Sequence, residues 1–224
     1  VYKRQDALCV GDAGFESQRI QTLRDAVVDL TFLNEQGLLR SDHVLHLRYE
    51  LPTPNMQQLF ETAMAQAPVH MISIMDHTPG VGQHANLDKF REGRRGDGYS
   101  EAELDQMIVE AQQRREMHSE INRHYLLEKL HGMGLQIASH DDRTAEEVRR
   151  NAAEGIRIAE FPVTLEAAQE ARKLGMATVA GAPNVVRGGS HSGNVAVRDL
   201  VAAGLVDVRA SDYVPHAMLE AAFA

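Results

Sequence analysis

The amino-acid sequence predicts an α/β fold in which parallel strands alternate with helices, and it favours a (β/α)8 TIM barrel over an open sheet. Three observations support this prediction. Short apolar runs recur along the 224-residue chain, and turn-forming residues follow most of them. Segments with helical periodicity lie between these runs, as expected for successive βαβ units. Polar side chains come at the carboxyl end of nearly every run, where the strands of a barrel converge on one active site.

Seven apolar runs are interpreted as buried strands, one fewer than a closed eight-stranded barrel requires. They occupy residues 7–10, 44–47, 69–75, 135–138, 156–159, 177–180 and 206–210. We therefore expect an incomplete barrel that contains strands 2–8 and lacks the first strand. An open doubly wound sheet is the alternative, although such a sheet uses only the few strand ends near its switch point.

Amphipathic helices are expected between these strands. They occupy residues 17–36, 56–67, 144–154, 164–174 and 195–203. The second of them is expected to turn Leu59, Phe60 and Ala63 inward. Thr144 and Glu147 have the spacing of a capping box, which marks the start of the third helix.

The connection between the third and fourth strands, at about residues 80–133, is unusually long. We interpret it as an insertion within a single domain that covers residues 1–224. It contains a polar tract at residues 93–98 and then a helix that opens with the capping box of Ser100 and Glu103. Its basic residues favour a solvated charged loop, with closure over a polyphosphate as the alternative. These residues are Lys89, Arg91, Arg94 and Arg95.

The composition restricts the classes of partner. The chain has 32 Asp and Glu residues against 23 Lys and Arg residues, and its formal net charge of -9 argues against non-specific binding to nucleic acid or to anionic membranes. The single cysteine, Cys9, forms no intrachain disulfide and fits a reducing compartment, which favours a cytoplasmic location. No apolar stretch approaches the roughly 18–20 residues that a membrane span requires.

Four polar residues at strand ends are candidate metal ligands: Glu50, His77, His140 and Asp212. Imidazole and carboxylate groups together suit a zinc-like ion, which takes nitrogen and oxygen ligands. Glu50 could bridge two ions, and Asp212 could also accept the proton of a metal-bound water as the catalytic residue. The structural alternatives are packing for each histidine and helix capping for Asp212. On the strand that ends at Glu50, His46 either lines this site or is a satisfied interior group.

A glycine-rich segment at residues 181–194 is a candidate site for phosphate. Gly188 and Gly189 permit close approach of a ligand to the backbone, and Arg187 offers a fork of donors for phosphate oxygens. A flexible linker with a helix cap is the alternative. The candidate substrate-binding residues are Asn184, Arg187, Gly188, Gly189, Ser190, His191 and Ser192.

Five of these segments also resemble one family. They are residues 73–80, 138–142, 159–162, 181–194 and 211–213. They are similar to the alpha-D-ribose 1-methylphosphonate 5-triphosphate diphosphatases of the carbon–phosphorus lyase pathway, in the amidohydrolase superfamily, and the resemblance extends over residues 6–223. The resemblance implies an amidohydrolase-type barrel. It also implies hydrolysis of alpha-D-ribose 1-methylphosphonate 5-triphosphate to the 5-phosphate and pyrophosphate. It also implies a divalent metal cofactor, with zinc expected, one or two ions, and manganese or iron as alternatives.

The resemblance assigns roles to the strand-end residues. Glu50, His77 and His140 match metal-ligand positions, and Asp212 matches an aspartate that binds metal and handles the proton. The implied partner is a phosphorylated sugar phosphonate, and a homo-oligomer is expected. The family's small β domain and its first strand with a His-x-His or His-x-Asp motif are not found, so the chain is expected to be truncated at both ends.

Two other functions remain open at this stage. One is an amidohydrolase that acts on a cyclic amide or deaminates a base, although a neutral substrate gives no reason for a phosphate-binding segment. The other is a barrel that binds a phosphosugar without catalysis.

Overall fold

A computed structural model describes residues 3–11, 16–66, 68–190 and 193–223. Strands alternate with helices through these ranges, as the sequence predicts. The strands are β1 (Lys3–Val10), β2 (Asp42–Glu50), β3 (Val69–Met75), β4 (Gln136–His140), β5 (Ile158–Glu160), β6 (Ala177–Gly181) and β7 (Val208–Ala210). Several begin or end two to four residues away from the predicted limits, because the predictions followed only the apolar runs.

The helices include each one that the sequence predicts. They are α1 (Glu16–Glu35), α2 (Met56–Gln66), α3 (Leu87–Gly96), α4 (Glu101–Leu130), α5 (Ala145–Ala153), α6 (Leu165–Lys173), α7 (Ala182–Arg187), α8 (Val197–Ala202) and α9 (Ala217–Phe223). A short 3₁₀ turn, Gly82–His84, precedes α3. No helix in the described part of the chain is both long and apolar enough to span a membrane.

The prediction of an amidohydrolase-type (β/α)8 barrel is wrong. The seven predicted strands are present and hydrogen-bond in chain order from β1 to β7. Every pair with a described register is parallel. A barrel closes only when its first and last strands pair, and within the described ranges no pairing joins β7 to β1. The fold is therefore α/β with an open parallel sheet.

The chain divides into two compact units. The first unit comprises Val1–Asp76 and Met107–Gln136, and the second comprises His77–Gln106 and Ile137–Ala224. The first contains β1 to β3 with α1, α2 and most of α4. The second contains α3, most of β4, and all elements from α5 to α9. The expectation that residues 1–224 form one domain stays a prediction.

The first unit buries an aromatic cluster where α2 meets the sheet. Tyr49 of β2 and Phe60 of α2 are buried, with ring centroids 5.6 Å apart, and Tyr125 of α4 meets Phe60 edge-on at 5.9 Å. Burial raises the pKa of the Tyr49 phenol. The inward direction predicted for Leu59, Phe60 and Ala63 is confirmed, since all three are buried.

His46 lies in the interior of the first unit. Its Nδ1 is 2.8 Å from Nε2 of Gln5, and its Nε2 is 2.6 Å from Oγ of Ser73. Both ring nitrogens therefore have partners on neighbouring strands. This arrangement supports the interior-group interpretation of His46, because a buried imidazole without partners would carry a desolvation cost.

Asn122 ties α4 to the turn after β2. This buried side chain donates from Nδ2 to the carbonyl oxygens of Leu51 at 2.8 Å and Thr53 at 2.9 Å. We expect Asn122→Ala to lower the free energy of unfolding by about 1–3 kcal/mol, because two buried carbonyls lose their donor. Urea denaturation measures this change. Gln113→Ala, at an exposed position of the same helix, is the control and should change stability by less than about 0.5 kcal/mol.

The predicted charged loop in the long connection is wrong, because much of it forms α3. The Asn86 side chain caps this helix by accepting from the Lys89 backbone N–H at 3.0 Å. Apolar residues are sparse in α3, so the sequence shows no periodic apolar stripe that would predict this helix. The capping boxes at Ser100 and Thr144, in contrast, are confirmed.

Candidate metal centre

Two histidines and one aspartate in the second unit bring their ligand atoms together. His77 follows β3, His140 ends β4, and Asp141 comes next. One ligand atom from each lies within 4.8 Å of the others. Oδ2 of Asp141 is 3.5 Å from Nε2 of His77 and 3.6 Å from Nε2 of His140. The sequence predicts that His77 and His140 meet, and the structure places them with ring centroids 5.3 Å apart.

The spacing and chemistry of these three groups fit a divalent metal. Zinc binds imidazole nitrogen and carboxylate oxygen at about 2.0–2.2 Å, so ligands of a tetrahedral ion lie about 3.3–3.6 Å apart. Both separations from Asp141 Oδ2 to the histidine Nε2 atoms lie within that range. The donor set also suits other nitrogen- and oxygen-preferring ions, which leaves the identity of the metal open.

Glu160 orients the His140 ring. These residues are paired in register on β4 and β5, and Nδ1 of His140 is 2.8 Å from Oε2 of Glu160. Their side chains are only 3% and 8% exposed, so water screens this contact little. A carboxylate partner keeps the proton on Nδ1, and Nε2 is then the nitrogen suited to ligate a metal.

The backbone beside this group adopts an uncommon conformation. Asp141 has a φ of 57° and Phe161, directly after β5, has a φ of 55°. Such left-handed values strain a residue with a side chain, and a bulky phenylalanine more than an aspartate. The Phe161 ring meets the His140 ring edge-on, with centroids 5.3 Å apart at 89°. Phe161 therefore packs against the His140 imidazole at a cost in backbone strain.

Asp142 holds the turn that carries Asp141. Its side chain is buried and accepts from Oγ of Ser139 and from Nδ2 of Asn151, the latter at 2.7 Å. Its carbonyl accepts from the Val163 backbone N–H at 2.9 Å. Because these partners come from β4, α5 and the segment after β5, the turn is anchored to three parts of the second unit.

The other two predicted metal ligands have different surroundings. Glu50 is the last residue of β2 and belongs to the first unit. Asp212 is exposed, lies two residues after β7 and has a φ of 49°. Among the described residues, the group of ligand atoms comprises His77, His140 and Asp141. The ligand roles of Glu50 and Asp212 therefore stay predictions.

Two residues of this centre are not among those expected from the sequence: Asp141 as a candidate ligand and Glu160 as the partner of His140. A signal for Asp141 was present, since it follows His140 directly at a strand end. The role of Glu160 depends on the register between β4 and β5, which the sequence does not specify for parallel strands that are joined by a helix.

Part of the predicted phosphate-binding segment is helical. Residues 182–187 form α7, and Gly188 ends it with a φ of 81°. Asn184 holds the following loop, because its Oδ1 accepts from the Val197 N–H at 2.8 Å. Arg187 donates to the Tyr213 hydroxyl at 3.1 Å. Gly189 and Ser190 follow in the loop, whereas His191 and Ser192 lie outside the described residues.

A comparison with characterised proteins bears on the role of this centre. The chain is 40% identical over 219 residues to the alpha-D-ribose 1-methylphosphonate 5-triphosphate diphosphatase of Escherichia coli (strain K12). The chain is similar to this diphosphatase along nearly its whole length. The resemblance found in the sequence motifs is thereby confirmed. The alignment covers 97% of the chain, which spans 58% of the diphosphatase's length.

Two further comparisons add no other relative. No family model matches the chain. No solved structure matches it either. The likeness to the diphosphatase therefore rests on the sequence, and the metal centre rests on the geometry of the second unit.

We expect Glu160→Gln to weaken metal binding about 10–100-fold, the usual effect of losing a carboxylate that orients a ligating histidine. Glutamine keeps the size of the side chain but removes the charge that holds the proton on Nδ1 of His140. Calorimetric titration of the metal-free protein with Zn²⁺ and Mn²⁺ measures the change. Glu146→Gln, at an exposed position of α5, is the control, and an equal loss in both variants would contradict a specific role for Glu160.

Proposed function

We propose that this protein hydrolyses alpha-D-ribose 1-methylphosphonate 5-triphosphate to the 5-phosphate and pyrophosphate, with a bound divalent metal. The observation that carries the proposal is the 40% identity to the Escherichia coli diphosphatase over 97% of the chain. The geometry of His77, His140 and Asp141 supports it, because hydrolysis of a phosphoanhydride is a common use of such a metal centre.

His77, His140 and Asp141 would hold the metal, and Glu50 and Asp212 are the further predicted ligands. A bound divalent ion lowers the pKa of a coordinated water and neutralises phosphate charge. Glu160 keeps the His140 imidazole in the tautomer that ligates. Asp212 is proposed to take up the proton from the attacking water, and its exposed position gives it access to solvent.

The loop after α7 is proposed to bind the phosphate or phosphonate groups. Arg187, Gly188, Gly189 and Ser190 would supply donors and close backbone approach, together with His191 and Ser192. Asn184 would act through the loop, since its amide holds the start of α8.

The same proposal includes zinc as the metal, a cytoplasmic location and a homo-oligomeric state.

The products of the reaction test the proposal. The full-length protein is incubated with the ribose triphosphate and with Zn²⁺ or Mn²⁺, and phosphorus NMR identifies what is released. We expect pyrophosphate and ribose 1-methylphosphonate 5-phosphate in equal amounts. Release of orthophosphate would contradict the assignment, as would turnover of cyclic amides without turnover of the triphosphate. Binding of the triphosphate without any turnover would instead favour a phosphosugar-binding protein.

A further inference from the structure

We propose that Lys89 of α3 is a polyphosphate-binding residue that acts together with the loop at Gly193, where it binds the pyrophosphate part of the substrate. This inference rests on the proposed function, because it names a further residue of the same site. Nothing in the sequence distinguishes Lys89 from the three arginines that follow it in α3. The distinction comes from the contacts that the four side chains make.

The Lys89 ammonium lies directly against the backbone of the glycine-rich segment. A Cβ atom added to Gly193 would be 1.9 Å from Nζ of Lys89 and 2.9 Å from its Cε. Gly193 also has a φ of 75°, which a residue with a side chain adopts only with strain. The bare backbone at Gly193 is therefore what allows the ammonium to approach this loop.

The charges around α3 single out Lys89 from its neighbours. Arg91 pairs with Glu101 and Asp105, Arg95 pairs with Glu101, and Arg94 pairs with Asp97. In the part of the chain that the structure describes, no carboxylate pairs with Lys89. Since the three arginines are neutralised by neighbouring acids, Lys89 is the cation of this helix that is available to an anionic ligand.

A second cation, Arg187, lies at the end of α7, directly before Gly188. Arg187 donates to the phenol of Tyr213, a neutral partner, and no described carboxylate forms an ion pair with it. Of the described residues of the glycine-rich segment, Gly188 follows Arg187 directly and Gly193 contacts Lys89, and no described side chain cancels the charge of either cation. Such a loop favours a multiply charged anion, and a polyphosphate offers several oxygens to separate donors.

Two sets of contacts connect this loop to the metal centre within the second unit. On one side, His77 contacts His84, with ring centroids 6.1 Å apart, and His84 contacts Phe90, at 5.4 Å. Phe90 is the next residue after Lys89. On the other side, Phe161 contacts His140 and would lie 3.7 Å from a Cβ at Gly181, which directly precedes α7.

This arrangement suits a ligand that extends from the metal centre to the loop. A triphosphate has the required form, because its reacting phosphorus and its leaving pyrophosphate are separate groups along one chain. The lysine ammonium is a compact charge with rotatable donors, so it binds phosphate oxygens without demanding one orientation. Lys89 would bind the substrate and also the pyrophosphate product.

Lys89→Met tests the inference, because methionine keeps an unbranched apolar stem and removes the charge. We expect KM for the ribose triphosphate to rise about tenfold, with a smaller change in kcat, from the loss of one charge-assisted hydrogen bond. The dissociation constant of inorganic pyrophosphate, measured by calorimetry on the metal-loaded protein, should rise by a similar factor. Lys89→Arg should restore most of both values. Arg95→Met, an equal change of charge on the same helix, should leave both near the wild-type values.

Gly193→Ala provides a second test through the same contact. The added Cβ would occupy the place of the Lys89 ammonium and displace it. We expect this variant to reproduce the rise in KM, and the Lys89→Met/Gly193→Ala double variant to be no worse than either single variant. Circular dichroism shows whether each variant is folded.

The outcomes separate the inference from the proposed function. If the wild-type protein releases pyrophosphate but Lys89→Met has an unchanged KM and an unchanged pyrophosphate affinity, the inference is overturned and the function stands. If the wild-type protein shows no turnover but binds pyrophosphate in a manner that depends on Lys89, the function fails and the anion site is supported. Absence of pyrophosphate binding by the wild-type protein would also overturn the inference.

Discussion

We expect His140→Ala to abolish both metal retention and pyrophosphate release. His140 supplies one of the three ligand atoms of the candidate metal centre, and its Nδ1 contacts Glu160. Loss of a carboxylate behind a ligand weakens metal binding about 10–100-fold, so loss of the ligand itself should cost more than about 100-fold. Metal content after dialysis, measured by mass spectrometry, and the rate of pyrophosphate release both report the change.

Two further histidine variants test whether the effect is specific to the metal centre. His77→Ala should behave like His140→Ala, because it removes the other imidazole of the same group. His124→Ala changes a histidine whose side chain is 86% exposed on α4, and it should keep both metal and activity. A folded His140→Ala protein that binds metal as tightly as the wild type would refute the centre described here.

We expect Asp212→Asn to lower kcat by about 10²–10⁴-fold, the usual contribution of a positioned general acid–base group. Asparagine has nearly the same shape as aspartate and tolerates the left-handed backbone seen at this position, where φ is 49°. The substitution therefore removes the charge and the proton acceptor without new backbone strain. Metal should be retained in part, because Asp212 is not among the three clustered ligand atoms.

The readouts for Asp212 are turnover, metal content and stability, measured on the same sample. Asp199→Asn changes an exposed aspartate of α8 in the same unit and should leave all three unchanged. If Asp212→Asn has normal turnover, the proton passes through another group, and the role carried over from the family resemblance is wrong. If the variant loses turnover and all of its metal, the main role of Asp212 is to bind the metal rather than to accept the proton.

The sequence predicts the local part of the fold, but the barrel that it favours is not formed and the sheet is open. Strand number, parallel direction and most helices follow from apolar runs, periodicity and capping boxes such as that of Thr144 and Glu147, which act over a few residues. Whether a parallel sheet closes depends on strand tilt and stagger across the whole sheet, which no short segment encodes. The sequence does not predict helix α3 because this helix has the Asn86 cap and ion pairs but no buried apolar residue.

Some residues of the candidate site can be identified from the sequence, whereas others depend on contacts between distant segments. His77 and His140 are identifiable from the sequence, because each stands at the end of an apolar run and parallel strand ends meet at one edge. The partnership of Glu160 with His140 requires the strand register, and the contact of Lys89 with Gly193 requires the packing of α3 against a loop far away in the chain. Such contacts between distant segments are decided by tertiary structure.

The left-handed backbone at Phe161 also bears on attempts to engineer this protein. A bulky residue in that conformation costs on the order of 1–3 kcal/mol, and glycine would relieve the cost. The same exchange would remove the ring that packs edge-on against His140. Directed evolution for heat resistance alone would thus favour glycine at this position, and the His140 ring would lose this packing partner. Selection for durability and for activity must therefore be applied together.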